Sequence, residues 1–336
     1  MILVTGGTGL LGSHLLYQLL QTEKIIRVLY RNDDKLNNVK SVFSYYSNDS
    51  DMLFDRIEWV KGDILNLPSL DLAFKNITTV YHSAAMVAFD RGSDILMNKV
   101  NIEGTANIVN LCLSNNVQKL CHVSSIASIS KPIDGSEATE EDYWNPDALN
   151  SGYAISKNGA EMEVWRGIEE GLNAIIVNPS IIIGPGFWDN SSGKLFTTVN
   201  NGIKFYTDGG TGFVGVNDVS KTMIQLMKSD IVNERFIINS ENLSYKKIFS
   251  TIALSLGLKP PTIKTKKWML SLAWRLDVLK VVLFGAKQRL NKDSARSART
   301  TSKFSNEKIK KAVGLSFKPI DEIIEDTSKL FIADKG

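Results

Sequence analysis

Cysteine is nearly absent: the 336-residue chain carries two, Cys112 and Cys121, and they form no Cys-x-x-Cys pair. A disulfide scaffold or a cysteine-built metal knuckle is therefore excluded, and both positions read as buried thiols. Histidine is equally scarce. His14, His82 and His122 stand far apart, none at ligand spacing from another His, Cys or carboxylate, so no metal is expected. With 8 Pro and 24 Gly, neither collagen nor low-complexity disorder fits the composition. Long hydrophobic runs are missing too. The longest strongly apolar stretch, Trp268 to Phe284, is 17 residues and is broken by Arg275, Asp277 and Lys280, which argues against a membrane span. The chain opens MILVTGG, a strand rather than a basic leader with a cleavage site, so a cytoplasmic location is expected.

What is present is ordinary for a globular enzyme: 43% apolar, 22% charged and 9% aromatic residues. The length suits one large α/β domain or two smaller ones. Net charge is +3, but it is unevenly placed. Residues 264–303 hold 11 Lys or Arg against two acids, leaving 28 basic and 34 acidic residues elsewhere. The basic charge is local, and no nucleic-acid partner is expected.

Through the first 180 residues, short apolar runs alternate with helical patterns, the βαβ rhythm of a parallel sheet. Candidate strands are Ile2 to Thr5, Ile25 to Tyr30, Ile57 to Lys61, Thr79 to His82, Lys119 to Ser124 and Asn173 to Asn178. Spaced apolar residues such as Leu11, Leu15, Leu16, Leu19 and Leu20 mark helices between them. A doubly wound, Rossmann-type α/β sheet over 1–180 is expected, followed by a smaller substrate-binding lobe in 181–336, some of whose segments rejoin the sheet. After Pro179 the pattern gives a Gly-rich loop at 184–193, a turn-rich 207–218 and a helix near 218–228.

Residues 5–12 read TGGTGLLG, placing Gly6, Gly9 and Gly12 directly after a four-residue apolar strand and before an amphipathic helix. Glycine permits the tight turn and the close approach of backbone N–H groups to a pyrophosphate, while the helix N-terminus stabilises the anion. Thr5, Gly6, Gly9, Leu10, Leu11 and Gly12 are accordingly candidate dinucleotide contacts. A nearly identical string, GGTGFVG at 209–215, lacks an immediate helix and reads as a turn. The second strand ends at Tyr30 and Arg31, with no acid at its tip. A cation there suits a 2′-phosphate, so Arg31 favours NADP over NAD, although Asp33 and Asp34 follow closely. Asp63 and Ile64 fall where an adenine edge would be contacted, and Ala84, Ala85 and Met86 would form a floor of small residues beneath the dinucleotide.

Tyr153 and Lys157 are four apart in SGYAISKNGAEMEVW and project from one helix face. A neighbouring ammonium stabilises a phenolate and lowers its pKa toward the range useful for proton exchange. By frequency alone, such a spacing occurs about once in a chain like this one. Its weight comes from the glycine loop and from Ser124 and Ser125 at the carboxyl end of a predicted strand, where open α/β sheets place ligands.

TGGTGLLG, Gly62-Asp63-Ile64, HSAA at 82–85, NIEGT at 101–105, VSSIA at 123–127, YAISK and NPSIIIGPG at 178–186 follow the order found in the extended short-chain dehydrogenase/reductases. The chain resembles that superfamily over nearly its whole length. It looks most like the dihydroflavonol-reductase-like and 3β-hydroxysteroid-dehydrogenase-like branch, and is similar to the NAD-dependent epimerase/dehydratase group. The resemblance implies an enzyme that moves a hydride between a nicotinamide and a carbonyl or secondary alcohol of a small-molecule substrate. Within it, Ser125 (or its neighbour Ser124) would hold the substrate oxygen. Tyr153 would exchange its proton, and Lys157 would bond the nicotinamide ribose and tune Tyr153. Pro179, Ser180 and Ile181 would contact the nicotinamide end, and Asn101 would be structural or relay water. A homodimer through paired surface helices is compatible with the resemblance.

The alternative is a nucleotide-sugar epimerase or dehydratase with tightly held NAD, and a third reading is a non-catalytic dinucleotide sensor or assembly factor. Thr211, Gly212 and Phe213 stand where sugar-nucleotide members carry an Arg-Asp-Tyr-like string, which argues against them, whereas Arg296 and Arg299 would suit a pyrophosphate. Phe187, Trp188, Phe196, Phe205 and Tyr206 could line an apolar pocket or fill a core. Two further expectations concern surfaces. Residues 264–284 are read mainly as ordinary packing, with a helix touching anionic membrane as the other option. The acid-rich 132–151 is expected to be a mobile lip over the site.

Overall fold

Leu3 and Val4 are both fully buried, yet they belong to separate hydrophobic clusters on opposite sides of their strand. Successive strand side chains point to opposite faces, so a run without polar interruption requires cover on both. The same split recurs at Val28 and Leu29, at Tyr81 and Val80, at Cys121 and Leu120, and at Ile175 and Ile176.

The computed structural model describes residues 1–88, 92–266, 268–269, 274–275 and 292–335. Elements run β1 (Ile2–Thr5), α1 (Leu10–Leu19), β2 (Ile26–Tyr30), α2 (Leu36–Ser44), α3 (Ser50–Asp55), β3 (Ile57–Lys61), α4 (Leu67–Ala73), β4 (Thr79–His82), α5 (Asp94–Asn98), α6 (Gly104–Ser114) and β5 (Lys119–Val123). They continue with α7 (Gly152–Glu169), β6 (Ala174–Pro179), β7 (Ile181–Ile183), α8 (Gly193–Asn200), β8 (Phe205–Tyr206), β9 (Gly210–Gly215), α9 (Val216–Lys228), β10 (Glu234–Ile238), β11 (Glu241–Ser244), α10 (Tyr245–Ser255) and β12 (Ile263–Lys264). Helices at Lys292–Ser297, Glu307–Val313 and Ile320–Lys335 follow.

The main sheet has seven parallel strands in the order β3-β2-β1-β4-β5-β6-β10. This is the doubly wound Rossmann order with one strand added. Helices α1, α2 and α9 cover one face, and α4, α6 and α7 the other. The order reverses between β1 and β4, so the carboxyl ends of those strands open the crevice where such sheets hold ligands. β10 enters this sheet from the C-terminal half, while β7, β9 and β11 form a small separate sheet. A second core beneath that sheet gathers Trp188, Phe196, Phe213, Ile248, Ile252, Ile324 and Phe331.

Several sequence expectations are corrected. The string at 209–215 is the strand β9, and α9 starts directly after it at Val216. Its glycines make room for neighbours: a Cβ on Gly212 would stand 2.3 Å from Asn239 Oδ1, and one on Gly209 would stand 2.5 Å from the Ala298 carbonyl oxygen. Of the two readings open for Phe196 and Trp188, the core one holds: both are buried, with Trp188 edge-on against Phe196 and against Phe331. The 132–151 segment is anchored at its centre. Ala138 pairs with Lys303 and Ser305 through its backbone, and the buried Glu140 accepts the Ile237 N–H at 2.7 Å. Arg296 donates to the Leu149 carbonyl at 3.0 Å, and Arg299 is exposed. Most of 264–284 lies outside the described residues. Among the described residues, no helix is long and apolar enough to cross a membrane.

Both cysteines are buried and free, and burial pushes the Cys121 thiol up to about 12. All three histidines are buried as well. His14 on α1 meets the Pro185 carbonyl at 3.1 Å and the Tyr46 hydroxyl at 2.8 Å, joining α1 to the loop after β7. Burial lowers its pKa to about 4, and that of His82 to about 3. Because the unfolded chain takes up these protons near pH 6.5 and the folded chain does not, stability is lost as pH falls below 6.5. Each histidine accounts for about 1.5 kcal/mol between pH 6.5 and 5. The denaturant midpoint is expected to fall steadily over that range, and less steeply in His14→Gln; an equal slope in the variant would contradict the assignment.

Candidate active site

The chain turns from β1 into α1 through Gly6, whose φ of +73° is left-handed. A Cβ there would lie 2.5 Å from the Ala84 nitrogen, because the end of β4 packs directly beneath the loop. Gly12 is equally constrained, its Cβ position lying 2.1 Å from the Gly6 carbonyl oxygen. Gly9 differs. It precedes α1 in extended conformation, and a Cβ would meet only the Gly6 oxygen, at an ordinary 3.4 Å. Protein packing therefore requires Gly6 and Gly12, whereas the openness of Gly9 leaves room for a molecule against the helix end. No side chain caps α1. Among the described residues, the N–H groups of Leu10, Leu11 and Gly12 have no backbone partner outside the helix. Unpaired donors at a helix N-terminus behind a glycine turn fit a pyrophosphate.

A buried polar chain fixes the ends of β1 and β4. The Thr5 hydroxyl bonds His82 Nδ1 at 2.7 Å, and His82 Nε2 bonds the Thr105 hydroxyl at 3.0 Å. Thr105 gives its own proton to the Asn101 carbonyl at 2.6 Å. Thr105 must therefore accept from His82, which assigns the Nε2–H tautomer and makes Thr5 the donor to Nδ1. Asn101 lies in a π-helical turn, Lys99–Glu103, and clamps Met86 on both sides: its Oδ1 accepts the Met86 N–H at 2.7 Å and its Nδ2 donates to the Met86 carbonyl at 2.9 Å. The same amide reaches Ser156 on α7 at 3.0 Å. Asn101 is thus a structural bridge from the floor of the crevice, Ala84 to Met86, to the helix bearing Tyr153 and Lys157.

The carboxyl end of β5 separates the two serines. Ser124 is buried and its hydroxyl turns inward to Glu161 at 2.7 Å. Ser125 is partly exposed, caps the short turn Ile126–Ser128 by accepting the Ala127 N–H at 3.1 Å, and hydrogen-bonds Tyr153. α7 starts at a Ser151 cap, which accepts the Ala154 N–H at 3.2 Å. One turn on, Lys157 is 4% exposed and its ammonium donates to the Val123 carbonyl at 2.9 Å. Ser125, Tyr153 and Lys157 therefore meet at the end of β5.

Burial lowers the Lys157 pKa to about 8, against which the Glu161 carboxylate pulls it back up. The Tyr153 phenol is raised above its ordinary value because burial outweighs the bond from Ser125. The lowering expected from an ammonium four residues away does not dominate. Tyr153 is accordingly a protonated phenol at neutral pH.

The remaining sequence-predicted residues are distributed around the crevice. Arg31, just past β2, is exposed and pairs with Asp63 at 3.6 Å, and Asp63 also accepts the Leu65 N–H at 2.9 Å. Asp33 is engaged by Lys61 and by the Tyr30 hydroxyl, so the carboxylate nearest the β2 tip is already paired. Ile64 is in the core. Pro179 ends β6, Ile181 opens β7, and the Ser180 hydroxyl is turned onto the Ile238 carbonyl at 3.3 Å. Sequence reasoning missed Glu161, Asn178 and Arg235. No spacing signal links them, since their contacts span 17 to 74 residues.

Residues 4–233 match the profile of an NAD-binding family described as Male sterility protein. The chain belongs to this family and, with it, to the extended short-chain dehydrogenase/reductases, which are NAD(P)-dependent enzymes. It is 28% identical over 281 residues to a putative dihydroflavonol 4-reductase of Synechocystis sp., a match covering 81% of this chain and 77% of that protein. It is 22% identical to the NADPH-dependent methylglyoxal reductase GRE2 of Saccharomyces cerevisiae, across 100% of this chain and 99% of that one. Among solved structures, gox2253 superposes with a TM-score of 0.82 at 26% identity, covering 100% of this chain and 98% of its own.

The two kinds of glycine lead to separate outcomes. Gly9→Ala is expected to fold with an unchanged melting temperature and to bind dinucleotide about tenfold or more weakly, because the added methyl meets the ligand and not the protein. Gly12→Ala is expected to destabilise the fold itself. Thermal melts and fluorescence titration with NADPH separate the two, and tight binding by Gly9→Ala would contradict the loop's role.

Proposed function

We propose that this chain is an NADP-preferring reductase of small carbonyl compounds, with Ser125, Tyr153 and Lys157 as its catalytic residues. The observation that carries this reading is the hydrogen bond between Ser125 and Tyr153 beside the buried ammonium of Lys157, at the carboxyl end of β5. The bound dinucleotide would supply the hydride for the substrate carbonyl carbon. Ser125, partly exposed at the strand end, would hold the carbonyl oxygen by donating to it. Tyr153, protonated at neutral pH, would deliver its proton to the oxygen as negative charge develops there. Lys157, an ammonium below pH 8, would then favour the resulting phenolate by its charge.

Thr5, Gly6, Gly9, Leu10, Leu11 and Gly12 would hold the pyrophosphate, Asp63 and Ile64 the adenine end, and Ala84, Ala85 and Met86 the floor. Pro179, Ser180 and Ile181 would border the nicotinamide. Arg31 would meet a 2′-phosphate, a role supported by its exposure and by the engagement of Asp33 with Lys61. The name of the yeast relative, an NADPH-dependent reductase, points the same way.

Tyr153→Phe is expected to keep its melting temperature and its affinity for NADPH while losing about 100-fold or more in kcat toward aldehydes and ketones. The wild-type rate should also decline above pH 8 as Lys157 loses its proton. Full turnover in Tyr153→Phe would overturn the assignment.

A further inference from the structure

Behind the three residues assigned above lies a buried carboxylate that the proposed chemistry does not use. Glu161 is 2% exposed and sits one turn beyond Lys157 on α7. Its Oε2 accepts from the Ser124 hydroxyl at 2.7 Å, the Ser128 hydroxyl at 2.7 Å and the Asn178 amide at 2.9 Å. Its Oε1 meets Arg235 at 3.2 Å and the Trp165 indole N–H at 3.4 Å. These donors also grip the turn that carries Ser125. The Asn178 amide donates to the Ser125 carbonyl at 3.1 Å, and the Ser128 hydroxyl, whose single proton is shared between this carbonyl and Glu161, lies 2.8 Å from it. Arg235 extends the assembly to the segment before Tyr153, donating to the carbonyls of Glu140 and Asp142.

We propose that Glu161 is a positioning residue: through Ser124, Ser128 and Asn178 it fixes the turn bearing Ser125, and it sets a carboxylate one helical turn from the Lys157 ammonium. This rests on the reading of Ser125, Tyr153 and Lys157 given above. A carboxylate satisfied by this many donors is rigid, because moving it would strand buried polar groups. It also opposes the desolvation of Lys157. Among the described residues, Glu161 is the acid whose charge acts on Lys157. The groups facing Lys157 are Glu161 and Tyr153 on α7, His82 on β4 and His122 on β5, and both imidazoles are buried and neutral, with pKa values driven down partly by that ammonium. Glu161 itself is faced by Arg235 on β10 and by Lys157.

The test uses the full chain with lysine-selective carbon-13 labelling, so that Lys157 is titrated directly and without turnover. In Glu161→Gln, its midpoint is expected to fall from about 8 by about one pH unit. The alkaline limb of kcat should move with it, and kcat should fall about tenfold while the KM for dinucleotide changes less than about threefold. Glu161→Asp, which restores the charge on a shorter arm, should return the Lys157 midpoint but not the full kcat. If Glu161→Gln fails to fold because the largely buried Arg235 guanidinium loses its carboxylate, the double variant E161Q/R235M removes both charges and should show a midpoint lowered in the same direction by a smaller amount. A folded variant of either kind with an unchanged midpoint and unchanged kcat overturns the proposal. Failure of the underlying reading would look different: wild type and Tyr153→Phe would then be equally inert toward carbonyls, whatever Lys157 does.

Discussion

An ammonium buried to 4% exposure has to be solvated by the chain itself, and the site is arranged around that need. Lys157 gives one hydrogen bond to the Val123 carbonyl, which fixes α7 against the end of β5. It is faced by two imidazoles that burial keeps neutral, and its charge is balanced one turn further along by Glu161. Desolvation wins part of the contest, since the pKa settles at about 8 rather than its ordinary value. The result is a cation that is still present at neutral pH but lies close to its titration point, beside a phenol that keeps its proton.

The fold supplies the rest by bringing strand ends together. Parallel strands buried on both faces place Thr5, His82 and Val123 at one edge, where the chain leaves the sheet. From there, the Thr5–His82–Thr105–Asn101 chain secures one side of the crevice and the Glu161 assembly secures the other. Both are built from buried polar groups with specific partners, an arrangement that holds geometry more tightly than apolar packing does.

Much of this was legible in the sequence, for physical reasons. Strands buried on both faces read as short apolar runs, and β1 and β4 fall at the residues expected from those runs, as does β3, the partly exposed edge strand. The glycine loop was identifiable because strand, turn and helix follow one another within a few residues. The second glycine string shows the limit of that signal. Gly6 needs a left-handed φ, whereas no residue from Gly209 to Gly215 does, and Gly212 is small because Asn239, in the connection between β10 and β11, crowds it. Local sequence does not carry that difference. Nor does it separate Ser124 from Ser125, which depends on where Glu161 lies, or reveal the Glu161–Arg235 pair, which is formed across 74 residues. The anchoring of the acidic segment through Glu140 was invisible for the same reason.

In the proposed reaction, hydride from the nicotinamide reduces a carbonyl with Tyr153 as the proton donor. The most direct measurement is to supply NADPH deuterated at the transferable position of nicotinamide C4, with aldehyde and ketone substrates, and to locate the label by mass spectrometry. Deuterium on the carbinol carbon of the product, with one dinucleotide oxidised per alcohol formed, is the predicted result. An unlabelled product, or a substrate that is rearranged while the dinucleotide pool stays unchanged, would contradict it.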